Sequence, residues 1–84
     1  MGQEETNAPQ RDLTFGERAV GVTFNPSKFP QVDLYKKQCA ELIDNLNDAR
    51  NRTDDGDVKR MYSEAITNIQ TGQMWAVKAV TWNV

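Results

Sequence analysis

A chain of 84 residues makes at most one small domain, and one with a thin private core, since a 60-residue domain buries only about 60% of its unfolded surface. Hydrophobic residues at 38% and charged residues at 26% suit a globular chain better than a disordered or collagen-like one. Histidine is absent and Cys39 is the one cysteine, which excludes an internal disulfide, the usual Cys/His zinc sites and histidine-based acid–base catalysis. The formal charge of −2 argues against holding long nucleic acid through bulk charge, so an anionic ligand should be small.

Residues 1–20 are polar, carry Pro9 and show no sustained period; they read as a flexible N-terminal arm with a short turn of helix near residues 13–19 and few anchors. The start, Met1-Gly2-Gln3-Glu4-Glu5-Thr6, is unlike a signal peptide, and no apolar run approaches the roughly 18–20 residues of a membrane span, so a cytosolic location and no membrane partner are expected. A loop follows over residues 21–30. Pro26 and Pro30 restrict Asn25 and Phe29 before them, and Val22 and Thr23 are β-branched, all favouring extended backbone.

From Pro30 the pattern becomes helical. Val32, Tyr35, Cys39, Leu42, Leu46 and Ala49 recur at alternate spacings of three and four, with Ile43 widening the stripe. Pro30 fits the first turn, Asp33 the positive end of the macrodipole, and Arg50 and Arg52 the negative end. The spacing predicts a helix over about residues 31–50, roughly 30 Å long. Residues 51–57 form a polar turn, with Asp54 or Asp55 available as a cap and Gly56 for a positive φ. A second helix over about residues 57–82 carries Val58, Tyr62, Ala65, Ile69, Ala76 and Val80 on one face, while Met61, Ile66, Met74, Trp75, Val77 and Trp82 spread apolar area round the others. Only Glu64 and Lys78 are charged between residues 61 and 84. A rod apolar on several sides needs burial on several sides, so the expected fold is all-α: an antiparallel two-helix hairpin over residues 21–84 that assembles into a helical homo-oligomer through its second helix. Gly72 is expected to allow close backbone approach near Trp75.

No residue set suggests catalysis or a bound metal or cofactor. Asp44 and Asp48 lie four apart but offer too few oxygens for a divalent ion and read as a solvated face. The run Asp54-Asp55-Gly56-Asp57 lacks the alternating ligands and distant glutamate of a calcium loop. Cys39 falls on the apolar stripe with no base to activate it, and reads as packing. The loop-to-helix junction says more. Phe24, Phe29 and Tyr35 gather there with Lys28, Lys36 and Lys37; aromatic faces stack on bases and ammonium groups neutralise phosphates, although a hydrophobic staple and solvated lysines use the same residues. Lys78, amid Trp75, Ala76, Val77, Ala79 and Val80, either snorkels to water or meets an anion at an interface.

The loop Thr23-Phe24-Asn25-Pro26-Ser27, together with Ala65-Ile66-Thr67-Asn68-Ile69-Gln70 and Met74-Trp75-Ala76-Val77-Lys78-Ala79, resembles the small phage anti-CBASS proteins, whose helical hairpin domain is shared with a phage anti-Thoeris protein. The resemblance runs from about Val22 to Trp82. It implies a non-enzymatic sponge: members sequester, uncleaved, the cyclic oligonucleotide messengers of bacterial immunity, such as cyclic GMP–AMP, in the cytoplasm of the infected host, so that the CBASS effector stays inactive. It also implies hexamers of hairpins with cyclic dinucleotides held between protomers. On that resemblance Phe24, or alternatively Tyr35, matches the loop aromatic; Lys36 or Lys37 matches the phosphate-binding lysine; and Asn25, Pro26 and Ser27 match the loop motif. Arg60, Thr67 and Lys78 match a site where three protomers meet and cyclic trinucleotides bind in some members. The chain departs in its longer polar arm and in Phe24 where a hydroxylated aromatic is expected, which removes a phenol hydrogen bond but leaves stacking. The alternative is a helical protein–protein interaction module that docks its apolar second helix on a host protein; a cyclic-dinucleotide hydrolase is disfavoured by the missing histidines and metal ligands.

Overall fold

The computed structural model describes residues 12–22 and 29–83. Three helices make up the fold: α1 (Phe15–Val20), α2 (Pro30–Arg52) and α3 (Gly56–Val80). α2 and α3 form the hairpin, and α1 packs chiefly on α2. The two long helices begin and end within two residues of their expected limits, because their termini are chemically marked. Pro30 opens α2, with Asp33 in its first turn and Arg50 and Arg52 in its last. Asp55 caps α3, its side chain accepting from the backbone N–H groups of Asp57 at 2.9 Å and Val58 at 3.2 Å. Gly56 is the first residue of α3 and supplies no positive φ; among the described glycines only Gly21 does, at φ 67°.

The stretch before residue 20 is better anchored than its polarity suggests. Thr14 and Glu17 form a reciprocal capping box, Glu17 N–H donating to Thr14 Oγ1 at 3.0 Å and Thr14 N–H to Glu17 Oε1 at 2.9 Å. α1 ends six residues later, where Gly21 turns left-handed and the N–H groups of Gly21 and Val22 return to Arg18 and Glu17 carbonyls, a Schellman closure. Between these caps Gly16 lies against the backbone of α2: a Cβ there would run into the Ala40 carbonyl. Its N–H donates to Asp44 Oδ1 at 2.7 Å. Asp44 was expected on a solvated face; it is half-buried because it ties α1 down. The arm reading missed this anchor since it is made by backbone and one carboxylate, not by apolar side chains.

The core is small. Val20, Ala40, Ile43 and Ile66 are buried together, with Ala19, Val22, Cys39, Leu46 and Ile69 packed around them. Along α2 the buried line runs Val32, Lys36, Ala40, Ile43, rotated from the expected stripe: Tyr35, Cys39 and Leu46 are half-buried and Leu42 is 47% exposed. The reason is that α2 has two partners, and the line facing both α1 and α3 is drier than the line facing α3 alone. Arg50 clasps the far end, donating to Ser63 Oγ at 2.9 Å and Asn47 Oδ1 at 2.6 Å beneath the Phe15 ring 5.4 Å away.

α3 and the turn after it keep much of their apolar surface in the open, with Met74, Trp75 and Trp82 exposed at 60%, 66% and 69%. Among the described residues, and apart from its own helix turn, nothing lies within 4 Å of a Cβ built at Gly72, so the described part of the hairpin makes no close approach there. Gly16→Ala should destabilise the protein by about 1–3 kcal/mol through overpacking, whereas Gly56→Ala, in open space, should be neutral or stabilising by up to about 1 kcal/mol. Urea unfolding of both variants checks this; equal stability of Gly16→Ala and the parent would mean that α1 does not sit where described.

Candidate functional site

Consecutive residues of an α-helix point about 100° apart, and Tyr35, Lys36 and Lys37 accordingly open onto three different clefts. The sequence placed all three near one prospective ligand; within one protomer the helix separates them.

Lys36 lies on the buried line of α2, only 8% exposed. A charge taken from water requires polar partners, and its Nζ donates to the Gly21 carbonyl at 3.2 Å. That carbonyl is brought within reach by the left-handed cap of α1. A parallel tie comes from α3, where Gln70 Nε2 donates to the Ala19 carbonyl at 3.0 Å. Around these two ties opens a cleft of about 510 Å³, walled by Arg18, Gly21, Lys36, Gln70 and Gln73 on the polar side and Met74 and Val77 on the apolar side. Among the described residues its lining holds two cations and no carboxylate, in a chain of net charge −2.

Lys37 has the opposite surroundings. It is exposed and shares a cleft of about 270 Å³ with Glu17, Glu41 and Asp44, three carboxylates against one ammonium, a field that repels phosphate. Tyr35 is half-buried and its hydroxyl accepts from Gln31 Nε2 at 2.9 Å; it lines an apolar cleft of about 310 Å³ with Cys39, Leu42, Ile69 and Gln73. Gln73 belongs to both this cleft and that of Lys36, a residue the sequence reading passed over because it sits among apolar neighbours on α3. Phe24, Asn25, Pro26 and Ser27 lie outside the described residues.

Arg60, Thr67 and Lys78 are exposed on one face of α3, since spacings of seven and eleven are close to whole turns. Arg60 pairs with Glu64 at 2.7 Å, a surface bridge worth little. Eighteen residues put Arg60 and Lys78 about 27 Å apart, too far to meet on one small ligand within a protomer. Lys78 snorkels: its Nζ lies over the rings of Trp75 and Trp82, at 5.6 and 5.7 Å from their centroids.

A family model described as the Acb2/Tad1 hairpin domain matches residues 17–81. The chain belongs to the Acb2/Tad1 hairpin-domain family. Membership implies a phage sponge for cyclic nucleotides, and the members of this sponge family bind without catalysis. The match opens inside α1 and closes just after α3, so the Lys36 cleft and its α1 cap fall within the family domain. No curated protein and no solved structure matches the chain significantly. Among the described residues no helix is long and apolar enough to cross a membrane.

Cys39 is half-buried and burial pushes its thiol above the ordinary cysteine pKa. A raised pKa leaves less thiolate at neutral pH, so iodoacetamide should alkylate Cys39 in the native protein more slowly than it alkylates free cysteine at pH 7, and the gap should narrow as pH rises past the folded value. Native and free thiols reacting at one rate at pH 7 would contradict the burial.

Proposed function

We propose that this protein is a phage anti-defence sponge that binds cyclic dinucleotide immune messengers intact and keeps them from the CBASS effector in the infected cell's cytoplasm. The observation that carries the reading is the buried Lys36 in a cleft of about 510 Å³ whose described lining holds no carboxylate, a size within the usual range of ligand pockets, about 300–1,000 Å³. Family membership supplies the ligand class. In this reading Lys36, rather than Lys37, meets a ligand phosphate, because the described lining of the Lys36 cleft holds no carboxylate whereas that of the Lys37 cleft holds three. Phe24 supplies the stacking face. It follows Gly21 by three positions in the sequence, and in this proposal Asn25, Pro26 and Ser27 complete the loop around the ligand.

Each site is completed by a neighbouring copy in a homo-oligomer, with six protomers as the family arrangement. Supporting this are the separation of Tyr35 from Lys36 within one chain and the exposed Met74, Trp75 and Trp82, surface that a soluble monomer rarely leaves open. Gly72, unobstructed in the hairpin, offers the place for close approach between copies. Arg60, Thr67 and Lys78 would then converge from different protomers on a cyclic trinucleotide. The same exposed α3 face is what favours the second reading, a module that docks on a host protein.

Melting with a panel of cyclic oligonucleotides separates the two. The sponge should rise by on the order of 10 °C at a ligand concentration about 100-fold above Kd; no shift with any member of the panel favours the docking module. For the site, Lys36→Met should weaken binding by about 10- to 150-fold, the worth of a charge-assisted hydrogen bond, and Lys37→Met by less than about fivefold. The reverse order in calorimetric titration would move the phosphate to Lys37. Phe24→Ala should cost about 1–3 kcal/mol of stacking; unchanged affinity would pass the stacking role to Tyr35.

A further inference from the structure

Resting on the sponge reading, we infer that Asp44 is a positioning residue for the messenger: a carboxylate that strengthens the binding of an anion by holding α1 against α2. Asp44 stands in the described lining of the Lys37 cleft and not in that of the Lys36 cleft. Eight residues of α2 put it about 12 Å along the helix from Lys36, too far to meet a phosphate held by that lysine. What it meets is α1. Gly16 N–H donates to its Oδ1 at 2.7 Å. That N–H is one of the first-turn donors a helix cannot satisfy internally, and the charge of the acceptor strengthens the bond.

α1 depends on such a tie, because a helix this short does not persist alone. The residues it buries are Gly16 and Val20. Its first turn therefore presents backbone, not an apolar side chain, to α2, and Phe15 beside it is exposed over Arg50. Gly16 permits the approach, since a Cβ would run into the Ala40 carbonyl; Asp44 fixes it. The other end of α1 carries what the cleft needs: the Gly21 carbonyl that receives Lys36 Nζ at 3.2 Å and the Ala19 carbonyl that receives Gln70 Nε2 at 3.0 Å, with Arg18 on the same wall. An anchor at Gly16 thus sets where Ala19 and Gly21 lie and, through Gly21, where the ammonium is held. When α1 undocks the cleft loses a wall, and apparent affinity falls with the fraction of molecules in which that wall is in place. The sign of the effect is distinctive. A carboxylate acting through its field alone repels the messenger's phosphates, whereas Asp44 acting through α1 favours their binding.

Two substitutions separate these effects. Asp44→Ala removes both acceptor and charge, whereas Asp44→Asn removes the charge but keeps an acceptor oxygen at similar helix propensity; circular dichroism establishes that both fold. The probe is the tightest binder of a cyclic oligonucleotide panel that includes cyclic di-AMP, cyclic di-GMP and cyclic GMP–AMP. In calorimetric titration Asp44→Ala should bind it about 3- to 30-fold more weakly than the parent, and Asp44→Asn should recover most of that loss. In a Lys36→Met background the cost of Asp44→Ala should shrink, because the ammonium that α1 positions is gone; a general fold defect would cost the same in both backgrounds. In the parent, with no substitution at all, the ligand should slow hydrogen exchange of the α1 amides. Tighter binding by both variants, an equal loss in both, an Asp44→Ala affinity equal to the parent's, a loss of the same size with and without Lys36, or α1 exchange that the ligand leaves unchanged would overturn the role while leaving the sponge intact. A parent that binds no member of the panel would overturn the sponge reading and the role together.

Discussion

A lysine on the buried line of a helix is the constraint around which this hairpin is arranged. Lys36 stands between Val32 and Ala40, where an apolar residue would be the ordinary choice, and an ammonium at that depth must be met by oxygen. The oxygen comes from Gly21, and Gly21 can present it only because α1 stops there with a left-handed turn. α1 in turn reaches that point because a capping box starts it at Thr14 and a side-chain-free Gly16 lets it lie against the Ala40 carbonyl. Six residues of helix, too short to be stable alone, thus exist to bring a carbonyl to a lysine, and the cleft forms beside that contact.

The same economy leaves the core thin. Four buried apolar residues centred on Ile43 and Ile66 hold three helices together, assisted by the Arg50 clasp to Ser63 and the Lys59 donation to the Arg50 carbonyl at 3.0 Å across the turn. Meanwhile the outer face of α3 presents two tryptophans with Lys78 between them. Burying those rings against neighbouring copies would add apolar burial that the hairpin does not make by itself. In the proposed assembly, stability and ligand binding would be linked, since the surface that the single chain leaves open is the surface that copies would bury.

The long helices were legible because periodicity and end chemistry coincide in them: Pro30, Asp33, Arg50 and Arg52 mark α2, and Asp55 marks α3. α1 was legible in principle from Thr14 and Glu17 at capping-box spacing and from Gly21 after Val20, but six residues carry too little periodicity to outweigh polar neighbours. The site was harder to read. Charge and aromatic content put the candidate site near residues 24–37, yet Lys36 and Lys37 are indistinguishable as residue types, and only the packing of α1 on α2 puts one among amides and the other among carboxylates. Gln73 gave no pattern at all, since its depth follows from the crossing of α3 over α2 and not from its own type. The family resemblance carried the functional class, and the family match over residues 17–81 places the chain where that resemblance put it.

Sequestration, the role that family membership implies, acts through affinity and copy number alone. The most direct measurement is a structure of the assembled protein with a cyclic dinucleotide bound. The account predicts a phosphodiester oxygen within hydrogen-bonding distance of Lys36 Nζ, in the cleft beside Gly21 and Gln70, with the ligand intact. A ligand seated on the Lys37 side among Glu17, Glu41 and Asp44, leaving the Lys36 cleft empty, would contradict it.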